Sequence, residues 1–129
     1  MTSAFQYHRL LAAAVTAGTL VLFVWRFPEL PHLGESHLDK VCHLLLFFFV
    51  ACCYINTATA GFREVQIGRF FSGFLAAVAY SLLIEVLQHF IPWRSFEWLD
   101  FAADALGAAL GLVVCLHLQK RFEVSPIYR

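Results

Sequence analysis

The sequence predicts an all-α integral membrane protein of four transmembrane helices, packed as a compact antiparallel bundle with both termini in the cytoplasm. Three observations carry that expectation. The 129 residues are 60% hydrophobic and only 14% charged, whereas a soluble domain carries roughly 25% charge to meet water. The charges leave long gaps: 16 residues from Leu10 to Trp25, 22 from Val41 to Phe62, 15 from Phe70 to Ile84 and 15 from Ala105 to Gln119. Each gap approaches or reaches the roughly 20 apolar residues that cross a bilayer as helix. Finally, the basic residues are distributed unevenly between alternate ends of these segments.

The first span runs from Leu10 to Phe27. It opens like a secretory leader behind Arg9, but no small-residue cleavage site follows, and Trp25-Arg26-Phe27-Pro28 ends it as an anchored helix. Pro28, Pro31 and Gly34 break the chain into a loop. Ser36-His37-Leu38-Asp39 has capping-box form, a hydroxyl followed three residues later by an acid, and starts a second helix at about His37 that reaches Ala60. A charged turn from Gly61 to Arg69 leads to a third span, Phe70 to Ile91, stopped by Pro92. After a tight loop, Ser95 is placed to cap a fourth span from Phe96 to Leu118. No repeat, low-complexity tract or linker divides the chain, so residues 1–129 form one domain.

With the N-terminus inside, Arg9, Arg63, Arg69, Lys120, Arg121 and Arg129 fall on the cytoplasmic side, against Arg26, Lys40 and Arg94 outside, a split of six to three. Trp25, Trp93 and Trp98 then gather at the outer interface, where amphipathic rings settle. Nine basic and nine acidic residues cancel, so no global field draws nucleic acid. Cys42, Cys52, Cys53 and Cys115 lie in apolar stretches without paired spacing and read as small buried hydrophobes.

Ionisable groups inside spans are expensive, about 2.5 to 3.5 kcal/mol for Asp at mid-helix, and therefore turn towards a bundle interior or a wet cavity. Here three helices supply them at matching depths. At about 1.5 Å per residue, Asp39 and Asp100 lie roughly 3 to 6 Å below the outer helix ends, and His43, Glu85 and Asp104 about 9 to 12 Å below. Asp39 and His43 are spaced i,i+4, as are Asp100 and Asp104, while Glu85 shares a face with Gln88 and His89. Arg94 and Lys40 stand nearby, so the expected site is a polar pocket open to the outer face. Arg94 suits an anionic ligand, because a guanidinium grips phosphate or carboxylate bidentately. Asp39 also has a plain role in the capping box, and Glu85 one as a buried acid paired with Arg94 or His43. Gly107 and Gly111 form a small-xxx-small pattern that permits close helix contact. His89 departs from the motif set and, with the loop residues His32 and His37, reads as interfacial rather than catalytic, while His8 and His117 lie on the cytoplasmic side.

The strings Leu38-Asp39-Lys40-x-x-His43, Glu85-x-x-Gln88, Arg94-Ser95 and Asp100-x-x-x-Asp104-x-x-Gly107-x-x-x-Gly111 resemble the VanZ-like membrane proteins. The resemblance covers about residues 28 to 115 and rests on four separated motifs in order. It implies a small multispanning protein of the cell envelope, in a family named for a member associated with teicoplanin resistance, without a settled biochemical activity. One departure stands out: the position of Asp104 is usually Asn in that pattern. Replacing Asp104 by Asn is therefore expected to be tolerated.

Three functional expectations follow. The first is a binding protein whose pocket of Asp39, His43, Glu85, Gln88, Arg94, Asp100 and Asp104 holds the polar head of a membrane lipid or lipid-linked envelope precursor, modulating envelope properties or glycopeptide susceptibility. The second is an enzyme acting on an envelope lipid, with His43 and Glu85 as base and acid or with a divalent metal. No dense metal motif or obvious nucleophile is present, so no cofactor is expected; a metal would draw on His43, Glu85, His89 and Asp104. The third is a structural or assembly subunit with a membrane-protein partner, in which buried charges fix helix register.

Overall fold

In the computed structural model, residues 2–25, 37–62 and 66–124 are described, with side chains from 6 to 121 within those ranges. They form four helices: α1 (Thr2–Val24), α2 (His37–Ala58), α3 (Ile67–His89) and α4 (Trp98–Val124). No strand occurs among the described residues. All four are long and apolar enough to cross a membrane; the shortest, α2 at 22 residues, spans about 33 Å, against a hydrocarbon core of about 30 Å.

The boundaries differ from the sequence reading in instructive places. α1 begins at Thr2, eight residues before the charge-free run, because Arg9 interrupts hydropathy without interrupting helix. α4 begins at Trp98, and Glu97 rather than Ser95 stands at its head: the Glu97 carbonyl accepts the Phe101 amide at 3.2 Å, the first helical bond. Ser36, the loop from Pro28 to Glu35, Arg26, Phe27, Arg63 and Arg129 lie outside the described residues.

α2 ends in a reverse turn in which the Gly61 amide reaches back to the Asn56 carbonyl at 2.8 Å and the Ala60 amide to Thr57 at 3.2 Å. This is a Schellman closure, with Ala60 left-handed at φ 49°. Gly61 (φ 74°) cannot be substituted cheaply, since a Cβ there would lie 2.9 Å from the His8 ring. His8 earns its place at that end, accepting Thr57 Oγ1 on its carbonyl at 3.1 Å and pairing its ring with Asn56 at 2.9 Å.

α2 is the hub, packed most extensively on α4, then on α3 and α1. Phe47, Val50, Ala51, Ala77, Ile84 and Ala108 form one buried cluster with Phe23 of α1, and Ile55, Phe70, Leu112 and Cys115 form a second. Small residues set the spacing. A Cβ at Gly107 would strike the Leu44 carbonyl oxygen, one at Gly111 would sit 2.9 Å from that of Phe48, and one at Gly73 2.6 Å from the Ile55 Cα. In an apolar solvent such van der Waals contact, with interhelical hydrogen bonds, drives association. α1 adheres through fewer contacts and through polar ties: Tyr80 donates to the Thr16 carbonyl at 2.6 Å, and the Thr16 and Tyr54 hydroxyls meet at 2.6 Å. Leu45, Phe49, Leu75, Leu83, Leu106 and Val113 point outward and exposed, the surface a bilayer would cover.

Candidate functional site

The tight contact of α2 with α4 decides where the polar residues fall. Gly107 rests on the backbone of Leu44, so Asp104, one turn earlier on α4, arrives beside His43. His43 Nδ1 and Asp104 Oδ1 are 2.9 Å apart, and both side chains are sealed, at 1% and 0% exposure. The second Asp104 oxygen accepts the Ser81 hydroxyl of α3 at 2.7 Å. On its other edge His43 Nε2 faces Asp100 Oδ2 at 3.8 Å, and the Phe23 ring of α1 lies against the imidazole with centroids 4.3 Å apart. Four helices thus fix one histidine.

Glu85 is equally buried. One of its carboxylate oxygens, Oε2, accepts the backbone N–H of Glu97 at 3.2 Å, which places the acid at the N-terminus of α4, where unpaired amides and the helix dipole favour negative charge. The other oxygen, Oε1, is buried without a hydrogen-bond partner among the described residues. A nitrogen of His43, an oxygen of Glu85 and an oxygen of Asp104 lie within 4.8 Å of one another, and Asp39, His43 and Asp100 form a second such group.

Above this core sits a rim. Lys40 Nζ donates to Asp100 Oδ1 at 3.1 Å and to Glu97 Oε2 at 3.2 Å, with a quarter of the Lys40 side chain exposed. Asp39 is half-buried and lies within electrostatic reach of His43, Asp100, Arg94 and Lys40. Arg94 is half-buried too; among the described residues its guanidinium has no hydrogen bond and no ion pair within 4 Å. Trp93, next in the chain, joins Val21, Val24 and Trp25 in lining an open-sided apolar cleft of about 390 Å³ between the end of α1 and the α3–α4 turn.

The structure therefore brings together His43, Glu85, Asp100 and Asp104 directly and places Asp39, Lys40 and Arg94 around them. Two expectations need correction. The deep layer is not open: His43, Glu85 and Asp104 pack on each other, and exposure is confined to the rim. His89 is not with them. It is exposed against Phe90, because Gln88 takes the inward position on that face. Gln88, 2% exposed, uses its amide to donate to the Phe23 carbonyl at 3.2 Å and so ties α1 to α3.

Two participants escape a sequence reading. Ser81 is spaced i,i+4 before Glu85 and shares its face, but a serine in an apolar span carries no signal of its own. Glu97 looks like a loop acid until the helix start is known.

Four membrane-type helices closed around a sealed imidazole–carboxylate core define a small all-α protein of membrane type with one chemically distinct end. The family follows from comparison: a family model described as VanZ/LLP1 matches residues 3–119, and the chain belongs to that family. No curated protein and no solved structure matches the chain.

Proposed function

We propose that this protein sits in the cell membrane with both termini cytoplasmic, and that its polar end binds the anionic head group of an envelope lipid or lipid-linked precursor. On this reading binding modulates envelope properties, including susceptibility to teicoplanin-type glycopeptides. The orientation rests on the six-to-three division of Lys and Arg. One juxtaposition carries the ligand reading: Arg94, a cation without a bonded partner among the described residues, adjoins Trp93, which walls the apolar cleft. A cationic residue adjacent in sequence to the wall of an apolar cleft suits an amphipathic anion. Arg94 and Lys40 would contact the head group, with Asp39 and Asp100 orienting them. His43, Glu85 and Asp104 would support the rim from below.

The test is native mass spectrometry of the protein in gentle detergent, titrated with phosphatidylglycerol or phosphatidylcholine. The reading predicts preferential retention of phosphatidylglycerol and loss of that preference in Arg94→Ala. Equal retention of both lipids by the wild-type protein would reject it.

A second reading, a structural or assembly subunit, is favoured by one observation: each deep residue is tied to another helix or helix end of the bundle, His43 to Asp104, Asp104 to Ser81 and Glu85 to the Glu97 amide. It predicts no lipid preference and a loss of partner association when the core is altered.

A further inference from the structure

The buried core has a feature that hydrogen bonding alone does not complete. Each deep carboxylate is anchored by one oxygen and presents the other: Asp104 is held at Oδ2 by Ser81 and turns Oδ1 to His43, while Glu85 is held at Oε2 by the Glu97 amide and leaves Oε1 buried with no partner among the described residues. Unsatisfied buried carboxylate oxygens are rare and costly. From this we propose that His43, Glu85 and Asp104 form a binding site for a divalent transition-metal cation such as Zn2+.

The donor set fits. One nitrogen and two oxygens within 4.8 Å of one another are close enough for a cation to draw them in to the roughly 2.0 to 2.2 Å bond lengths of a zinc site, with a fourth position left for water or an anion. Charge balance fits as well. With both acids ionised, a singly charged imidazolium leaves the core one unit negative, whereas a divalent cation with neutral His43 brings it to zero in a medium that penalises net charge. The surroundings also have the form of a metal shell. The imidazole nitrogen turned away from Asp104 faces the Asp100 carboxylate at 3.8 Å, Lys40 holds that carboxylate, and Phe23 fixes the ring plane, the outer contacts that orient a histidine ligand. His89, exposed on α3, takes no part.

This inference goes beyond the head-group reading and does not depend on it, since metal retention is measured with no lipid added. The experiment uses the full chain in detergent, dialysed against Zn2+ and assayed for bound zinc and for thermal unfolding by circular dichroism. The wild-type protein should retain one Zn2+ per chain and unfold at a higher temperature with zinc than with chelator. Asp104→Asn can keep both hydrogen bonds, its amide donating to His43 and its carbonyl accepting from Ser81; it should fold and bind zinc at least about 10-fold more weakly. Glu85→Gln should behave likewise. Ser81→Ala leaves every ligand in place and should weaken binding about 10-fold, the effect of losing an outer-shell contact. A folded wild-type protein that retains no zinc overturns the proposal, as does equal zinc affinity in wild type and Asp104→Asn. If Glu85→Gln fails to fold, the Asp104→Asn and Ser81→Ala pair decides.

Discussion

His43 on α2 and Asp104 on α4 stand 2.9 Å apart because Gly107, three residues beyond Asp104, has no side chain to hold α4 away from the Leu44 carbonyl. The glycine and the polar pair are one device: the first sets the interhelical distance at which the second can form.

Enlarging that glycine should therefore break the pair. Gly107→Val forces a branched side chain into the α2 backbone, and overpacking of this kind costs about 1 to 3 kcal/mol. A drop in thermal unfolding temperature, with loss of the His43–Asp104 contact in the histidine NMR signals, is expected. An unchanged melting temperature would show that the two helices do not approach as described.

The depth of the core makes Asp104 sensitive to chemistry more than to size. Asp104→Leu leaves both His43 and Ser81 facing an apolar group, and orphaned buried polar groups cost about 1 to 3 kcal/mol each. Asp104→Asn preserves both partners. In unfolding assays without added metal the Asn variant should stay near wild type and the Leu variant should be clearly less stable; equal behaviour would mean the hydrogen bonds carry no weight.

Gln88 acts on α1. Its amide is the tie from α3 to the Phe23 carbonyl, and interhelical hydrogen bonds of this class average about 0.6 kcal/mol with a maximum near 1.7. Gln88→Leu should leave α2, α3 and α4 intact while hydrogen exchange rises in the last turn of α1. Unaltered exchange there would place the tie elsewhere.

The sequence disclosed the spans through their charge gaps, and it disclosed the two acid-bearing faces of α2 and α4 because i,i+4 pairs stay together on any straight helix. What it left open was set by neighbours. From Glu85, Gln88 and His89 are equally good facial partners, and the packing of α1 turns Gln88 inward and His89 out. The start of α4 at Trp98 rather than near Ser95 depends on Glu97 giving its amide to Glu85, a tertiary bond with no local trace. Gly73, pressed against Ile55, is spaced i,i+4 from Ala77 and not from a second glycine of the kind that marks Gly107 and Gly111.

Orientation has its own check. Ser95 is exposed in the α3–α4 turn, on the side the basic residues assign to the exterior. In a background with the four native cysteines replaced, Ser95→Cys should react with an impermeant thiol reagent on intact cells. Reaction only after lysis would invert the topology and the proposed face of the site with it.

Whether the polar end of the bundle holds an anionic lipid with its chain in the adjoining cleft is read out by photolabelling with a phosphatidylglycerol carrying a diazirine near the head-group end of an acyl chain. Peptide mapping of the labelled protein should place the label on Val21 to Trp25 and Trp93, with Arg94→Ala reducing it there. Label spread evenly over outward residues such as Leu45, Leu75 and Val113, and unaffected by Arg94→Ala, would contradict the claim.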